Sequence, residues 1–166
     1  MARKQAGGTP ATVALTRAGV AYRLESYEHD PRAGSYGLEA AEALLAERGI
    51  DPAQVFKTLL ATVDGRLAVG IVPVQAMLDL KGLARALGAS RAARAEVSDA
   101  ERATGYVAGG ISPFGQKRRH PTVVDESALA HETVYVSAGK RGLDVAVAPA
   151  DLVSVTGATT AAISRW

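Results

Sequence analysis

TLLATVDGRLAVGIV, residues 58–72, reads as two apolar runs joined by Asp64 and Gly65. Asp-Gly between strand-like runs predicts a two-residue hairpin turn, and a hairpin requires antiparallel pairing. Helical patterns lie on both sides, so the expected class is α/β with a mixed sheet, not a purely parallel one. Lys57 stands at the mouth of the hairpin, just after Val55 and Phe56.

Upstream, Thr9 and Pro10 read as the N-cap and first residue of a helix through ATVALTRA that closes at Gly19. Val20, Tyr22 and Leu24 alternate with polar residues, which predicts a strand running toward Tyr27. The strand hands Tyr27, Glu28, His29 and Asp30 to a loop that Pro31 and Gly34 keep irregular. LEAAEALLAERG is a helix stopped at Gly49, and Asp51 with Pro52 opens a short helical turn.

Downstream, Asp79 caps LKGLARALG, and Ser98 with Glu101 forms a capping-box pattern that starts a helix leading into residues 104–119. Strand-like TVVD, a short helix from Glu126, strand TVYVS, a turn AGKRG and strand LDVAVAP follow. Pro149 opens a last helix and TTAAIS a final strand.

With 166 residues, 48% hydrophobic and 22% charged, the chain is expected to be one globular domain, residues 1–8 being a flexible extension. MARKQAGG has no apolar run behind it, and no apolar stretch of membrane-spanning length occurs, so a soluble, cytoplasmic protein without membrane contact is expected. Having no cysteine, the chain offers neither disulfides nor a cysteine nucleophile. The formal net charge of +2 is small, but it is unevenly spread. Residues 25–51 hold seven acids against two bases, whereas residues 81–119 hold eight bases against three acids. Such asymmetry marks a candidate phosphate-facing surface, and a solvated helix face reads equally well at any single position.

The stretch TGYVAGGISPFGQKRR, 104–119, carries four glycines, one proline and no acid, and ends in Lys117, Arg118 and Arg119. Glycines let backbone N–H groups approach a ligand, so the loop suits an anion. It is not a P-loop, because Gln116 intrudes and no Ser or Thr follows the lysine. It is not a nucleophile elbow either, since Pro113 after Ser112 has no N–H to give. His29, His120 and His131 are scattered outside any metal-ligand spacing, so no metal is expected. Lys57 reads equally as a snorkelling surface lysine, Tyr27 as a core aromatic, Lys140 and Arg141 as a solvated turn, and Asp144 as an acid on a wet strand face.

YEHDP, VFKTLL, ATGYVAGGISPFGQKRR, TVYVSAGKRGLD and APADL, in that order, cover nearly the whole chain from Thr9 to about Ile163. Together they resemble the YbaK bacterial Cys-tRNA(Pro) deacylases, in the superfamily of the editing domain of bacterial prolyl-tRNA synthetases. The resemblance implies a mixed α/β fold with a curved, barrel-like sheet and surrounding helices. It also implies a trans-editing enzyme that removes cysteine from Cys-tRNA(Pro), with Cys-tRNA(Cys) a further substrate, and that needs no cofactor. Carried over position by position, the catalytic set is Tyr27, Lys57, Gly110 and Asp144. Thr58, Gly109, Ile111, Ser112, Pro113 and Ser137 would bind substrate. Lys117, Arg118, Arg119, Lys140 and Arg141 would hold the tRNA acceptor end. His120 and Ala138 depart from common family residues, without touching the implied chemistry.

That chemistry needs no protein nucleophile, because the substrate cysteine brings a thiol that can attack its own ester. Lys57 would bind the phosphate or ribose of the terminal adenosine, Tyr27 and Asp144 would orient the amino acid, and donors around Gly110 would face the oxyanion. Ser112 is expected to be structural rather than nucleophilic. Two other readings stay open: a deacylase for another small amino acid, such as Ala-tRNA(Pro), and a non-catalytic tRNA- or synthetase-binding module. Prolyl-tRNA synthetase is the partner that would supply tRNA identity, since so small a chain has little surface for an anticodon.

Overall fold

The structure, a computed structural model, describes residues 8–28 and 36–166. Most of the expected N-terminal extension and the loop carrying His29, Asp30, Pro31 and Gly34 lie outside the described residues. Helix α1 (Pro10–Arg17) starts as its sequence dictates: the Thr9 side chain accepts from the Thr12 N–H at 3.3 Å and proline occupies the first turn. Strand β1 (Arg23–Ser26) begins later than the alternation from Val20 suggested. Helix α2 (Tyr36–Arg48) is followed by a 3-10 turn at Pro52–Gln54, where Asp51 Oδ1 accepts from the Ala53 N–H at 2.9 Å.

The hairpin is formed by β2 (Phe56–Val63) and β3 (Arg66–Pro73), paired from Phe56↔Pro73 to Val63↔Arg66. Asp64 and Gly65 have φ of 48° and 82°, the two positive values a type I′ turn needs to match the twist of its strands. β4 (Met77–Leu78) and α3 (Leu80–Ala86) follow, and Asp79 Oδ1 accepts from the Gly82 N–H at 3.1 Å. The edge strand β5 (Ala92–Arg94) was not expected from sequence. It is pinned by the turn itself, because the Asp64 carboxylate accepts from the Ser90 and Arg91 N–H groups at 3.0 and 2.9 Å.

Helix α4 (Val97–Thr104) corrects the capping-box reading. Glu96 is its N-cap, with no side-chain cap bond, so Ser98 lies inside the helix, and Glu101 turns to the following loop instead. The remaining elements are β6 (Thr122–Asp125), a 3-10 turn at Glu126–Ala130, β7 (Val134–Lys140), β8 (Leu143–Val147), α5 (Pro149–Thr156), β9 (Thr159–Ala161) and β10 (Ser164–Arg165). The AGKRG segment is not all turn: β7 runs through Lys140 across an irregularity between Ser137 and Lys140, and only Arg141 and Gly142 reverse the chain.

The class is mixed α/β. A five-stranded sheet has the order β5-β2-β3-β6-β9, antiparallel through β3 and parallel from β3 to β9. A second sheet, β1-β8-β7, is antiparallel, and β10 pairs with β4. Among the described residues the strands do not close into a barrel, although a parallel bridge between Val55 and Tyr135 links the approach to β2 with β7. One core fills the space between the two larger sheets: Phe56, Leu60, Val69 and Ile71 from the hairpin meet Val136, Val145 and Val147. The glycine-rich loop joins this core through Tyr106 and Phe114. Burying a side chain such as Phe114 contributes roughly 1.5–3 kcal/mol, so the loop is anchored from within.

Candidate active site

A cavity of about 350 Å³ opens between the hairpin, the start of α2, the β7–β8 pair and the glycine-rich loop. Of the residues singled out from sequence, Tyr27, Lys57, Thr58, Gly109, Ile111, Ser137 and Asp144 line it. Gly110, Ser112, Pro113, Lys117, Arg118, Arg119, Lys140 and Arg141 are not among its lining residues.

Each lining group is delivered by an element whose register is fixed. Tyr27 directly follows β1, and its N–H donates to the Gly142 carbonyl at 2.9 Å. Burial, and after it the charge of Asp144, pushes the phenol pKa well above its ordinary value. Lys57 lies on β2 opposite Val72 and has no ion pair among the described residues. Burial, and after it the positive charge of Arg94, lowers its pKa. Thr58 follows, with its Oγ1 buried and without a hydrogen-bond partner. An unpartnered buried hydroxyl is unusual in a folded core, and here it borders a cavity.

Asp144 is not on a wet strand face. It is central in the β1-β8-β7 sheet, paired with Glu25 on one side and Ser137 on the other, and only 4% exposed. Burial pushes its carboxyl from 3.8 up to about 7. Asp125 is equally buried, yet its carboxyl is held low. There, burial is outweighed by the Ser127 hydroxyl at 2.5 Å and by the Ser127 and Ile163 N–H groups. The contrast separates a structural carboxylate from one facing a cavity. Ser137 sits at the β7 irregularity, where its Oγ accepts from the Gly139 N–H at 3.2 Å.

The loop wall depends on two adjacent glycines. A Cβ on Gly109 would lie 2.6 Å from the Tyr36 ring and 2.9 Å from Arg141 Nε, at a φ of 85° that side chains rarely adopt. A Cβ on Gly110 would lie 2.8 Å from Lys140 Cα. The Gly110 N–H already donates to the Val107 carbonyl at 2.9 Å. Gly110 therefore packs the loop on β7 and has no free amide for an oxyanion in this arrangement. Further ties hold the loop in place: the Ala108 N–H donates to Glu101 Oε2 at 2.8 Å, and the Tyr106 hydroxyl donates to the Phe114 carbonyl at 2.6 Å.

Ser112 is fully buried, its Oγ accepting from the Phe114 N–H at 3.2 Å. Pro113 is buried beside it. Arg141 is drawn into the wall: Nε donates to the Ala108 carbonyl at 2.9 Å, and the guanidinium stacks 4.4 Å from the Tyr36 ring centre. Lys117, Arg118, Arg119 and Lys140 are exposed outside the cavity. Sequence reasoning missed Tyr36 and Arg94, both in the lining. An aromatic opening a helix after an irregular loop was one available signal, and a lone arginine within an alanine-rich run was another. Among the described residues no cluster of metal-ligating side chains forms, and no helix is long and apolar enough to cross a membrane.

The profile of the aminoacyl-tRNA editing domain matches residues 37–155. EbsC of Enterococcus faecalis, whose name designates a Cys-tRNA(Pro)/Cys-tRNA(Cys) deacylase, is 38% identical over 127 residues, spanning 75% of this chain and 77% of EbsC. A crystal structure described as a trans-editing enzyme for prolyl-tRNA synthetase superposes with a TM-score of 0.81 at 22% identity, covering 95% of this chain and 96% of that one. The crystal structure of a hypothetical protein superposes with a TM-score of 0.82 at 23% identity, over 95% and 100% of the two chains. These two share the fold. The extent of the profile match and the identity to EbsC settle the family: the chain belongs to the aminoacyl-tRNA editing domain family.

Proposed function

We propose that this protein is a trans-editing aminoacyl-tRNA deacylase that removes cysteine from Cys-tRNA(Pro), and from Cys-tRNA(Cys) as a second substrate. The observation that carries the reading is the gathering of Tyr27, Lys57, Thr58, Ser137 and Asp144 around one cavity in a chain of this family. The cavity suits the aminoacyl end of a charged tRNA and is far too small for the tRNA body. A cytoplasmic location follows from that substrate.

The chemistry is intramolecular. The substrate thiol loses its proton and attacks its own ester carbonyl, forming a C–S bond. The C–O bond to the terminal ribose breaks, the ribose oxygen takes a proton, and the cysteine thiolactone is later opened by water. Holding thiol and carbonyl together replaces an encounter, and effective molarities on the order of 10⁵ M correspond to roughly 7 kcal/mol of barrier. Lys57, without an ion pair among the described residues, holds the phosphate or ribose of the terminal adenosine. The Asp144 carboxylate, opposite Ser137, receives the substrate ammonium, whose charge favours its ionised form. Thr58 Oγ1 gains in the substrate the partner it lacks. Backbone donors beside Gly110 face the oxyanion, since its own N–H is engaged. Lys117, Arg118, Arg119 and Lys140 add to the field that attracts tRNA, and prolyl-tRNA synthetase is the partner that selects it. Deacylation of Cys-tRNA(Pro) compared with Ala-tRNA(Pro) tests the reading: cysteine is released faster, and a preference for alanine would replace it.

A further inference from the structure

The eight bases of residues 81–119 are not absorbed by the cavity, of which only Arg94 is a lining residue. Lys81, Arg85 and Arg91 line a second recess, of about 470 Å³, with Ser90 and the alanines between them. Lys81 and Arg85 are four residues apart on α3, where like charges repel and weaken a helix. All four cations are exposed, and among the described residues none makes an ion pair. Of the acids around them, Asp79 caps α3 and Asp64 accepts from the Ser90 and Arg91 backbone, while Glu96, two residues after Arg94, is exposed and makes no side-chain cap bond.

The recess and the cavity are neighbours. β5 is the edge strand of its sheet, Ala92 at its start lines the recess, and Arg94 at its end lines the cavity. Two residue steps of extended chain span roughly 7 Å. Asp64 fixes this placement by binding the backbone just before the strand. Cations without an ion pair among the described residues therefore stand at both places, Arg94 at the cavity and Arg91, Arg85 and Lys81 at the recess.

We infer that Arg94, Arg91, Arg85 and Lys81 form a phosphate track for the acceptor stem of tRNA, beginning at the cavity mouth and ending in the recess on α3. The inference rests on the editing reading of the cavity. The track engages backbone phosphates and carries no sequence information, so it anchors any tRNA whose 3′ end enters the cavity. Each neutralised phosphate contributes about 0.7–0.9 to the slope of log affinity against log salt.

The test uses the full chain and Lys81→Gln/Arg85→Gln/Arg91→Gln, with an uncharged acceptor-stem hairpin ending in CCA and, separately, a cysteinyl CCA trinucleotide too short to reach the recess. The triple variant is expected to bind the hairpin roughly tenfold more weakly, with a salt slope smaller by about 2, while cleaving the trinucleotide like wild type. Unchanged hairpin affinity and slope would overturn the track, as would a trinucleotide rate falling in step with hairpin binding. If wild type binds the hairpin with the expected slope and the variant does not, yet neither cleaves charged tRNA, the track stands and the editing reading fails.

Discussion

Asp144 of β8 stands directly opposite Ser137 of β7, and both line the same cavity. Placing a carboxyl there costs stability once it ionises, because burial raises its pKa from 3.8 to about 7. A raised carboxyl pKa means the folded chain binds more protons than the unfolded one between those values. Stability from this group is complete below about pH 4 and is lost as pH rises through 7.

Asp144→Asn removes that loss. Relative to wild type, the variant is expected to gain roughly 2–3 kcal/mol more in urea unfolding at pH 8 than at pH 5. A gain that does not change with pH contradicts the buried ionisation. In activity the same residue gives wild-type kcat/KM a rise centred near pH 7, absent in the variant.

Lys57→Ala is expected to reduce deacylation on the order of 100-fold, the lower end of the scale seen when one preorganised hydrogen-bond donor is removed from an active site. Its Tm should stay close to wild type, because no ion pair is broken. Wild-type rates would take Lys57 out of the mechanism.

Gly110→Ala pushes a methyl against the Lys140 backbone, 2.8 Å from its Cα. Loop or strand must move, so a stability loss of about 1–3 kcal/mol is expected, together with lost activity. Calorimetry and the deacylation assay read both, and an unchanged Tm with full activity contradicts the close packing.

Glu101→Ala frees the Ala108 N–H. Faster hydrogen exchange at Ala108 and a rise in KM larger than the fall in kcat are expected, with about 1.5–3 kcal/mol lost locally. Unchanged exchange would mean the loop is held elsewhere.

Much of the fold was legible because local chemistry and tertiary outcome agreed. Asp64-Gly65 made its turn, Thr9-Pro10 and Asp79 started their helices, and the hairpin made the sheet mixed. Failures came where tertiary partners override local pattern. Ser98-Glu101 looked like a cap until Glu101 found the Ala108 amide, and β5 has no strand pattern of its own, being held by Asp64. In the site, Tyr27, Lys57 and Asp144 came from family motifs. Alternation alone put Asp144 on a wet face, because β1, which pairs with its strand, and the hairpin residues that share its cavity are remote in sequence. The stacking of the Arg141 guanidinium on Tyr36 had no signal in the sequence, since the two residues are remote in the chain.

The central claim is that this cavity cleaves an aminoacyl ester with the substrate's own thiol as nucleophile. It is tested most directly by comparing Cys-tRNA(Pro) with Ser-tRNA(Pro), which differ by sulfur against oxygen, under single-turnover conditions with the released product identified. The account predicts rapid loss of cysteine through a trappable thiolactone, with the seryl ester left intact. Equal rates on the two esters, with free amino acid as the first product, would make water the nucleophile and contradict it.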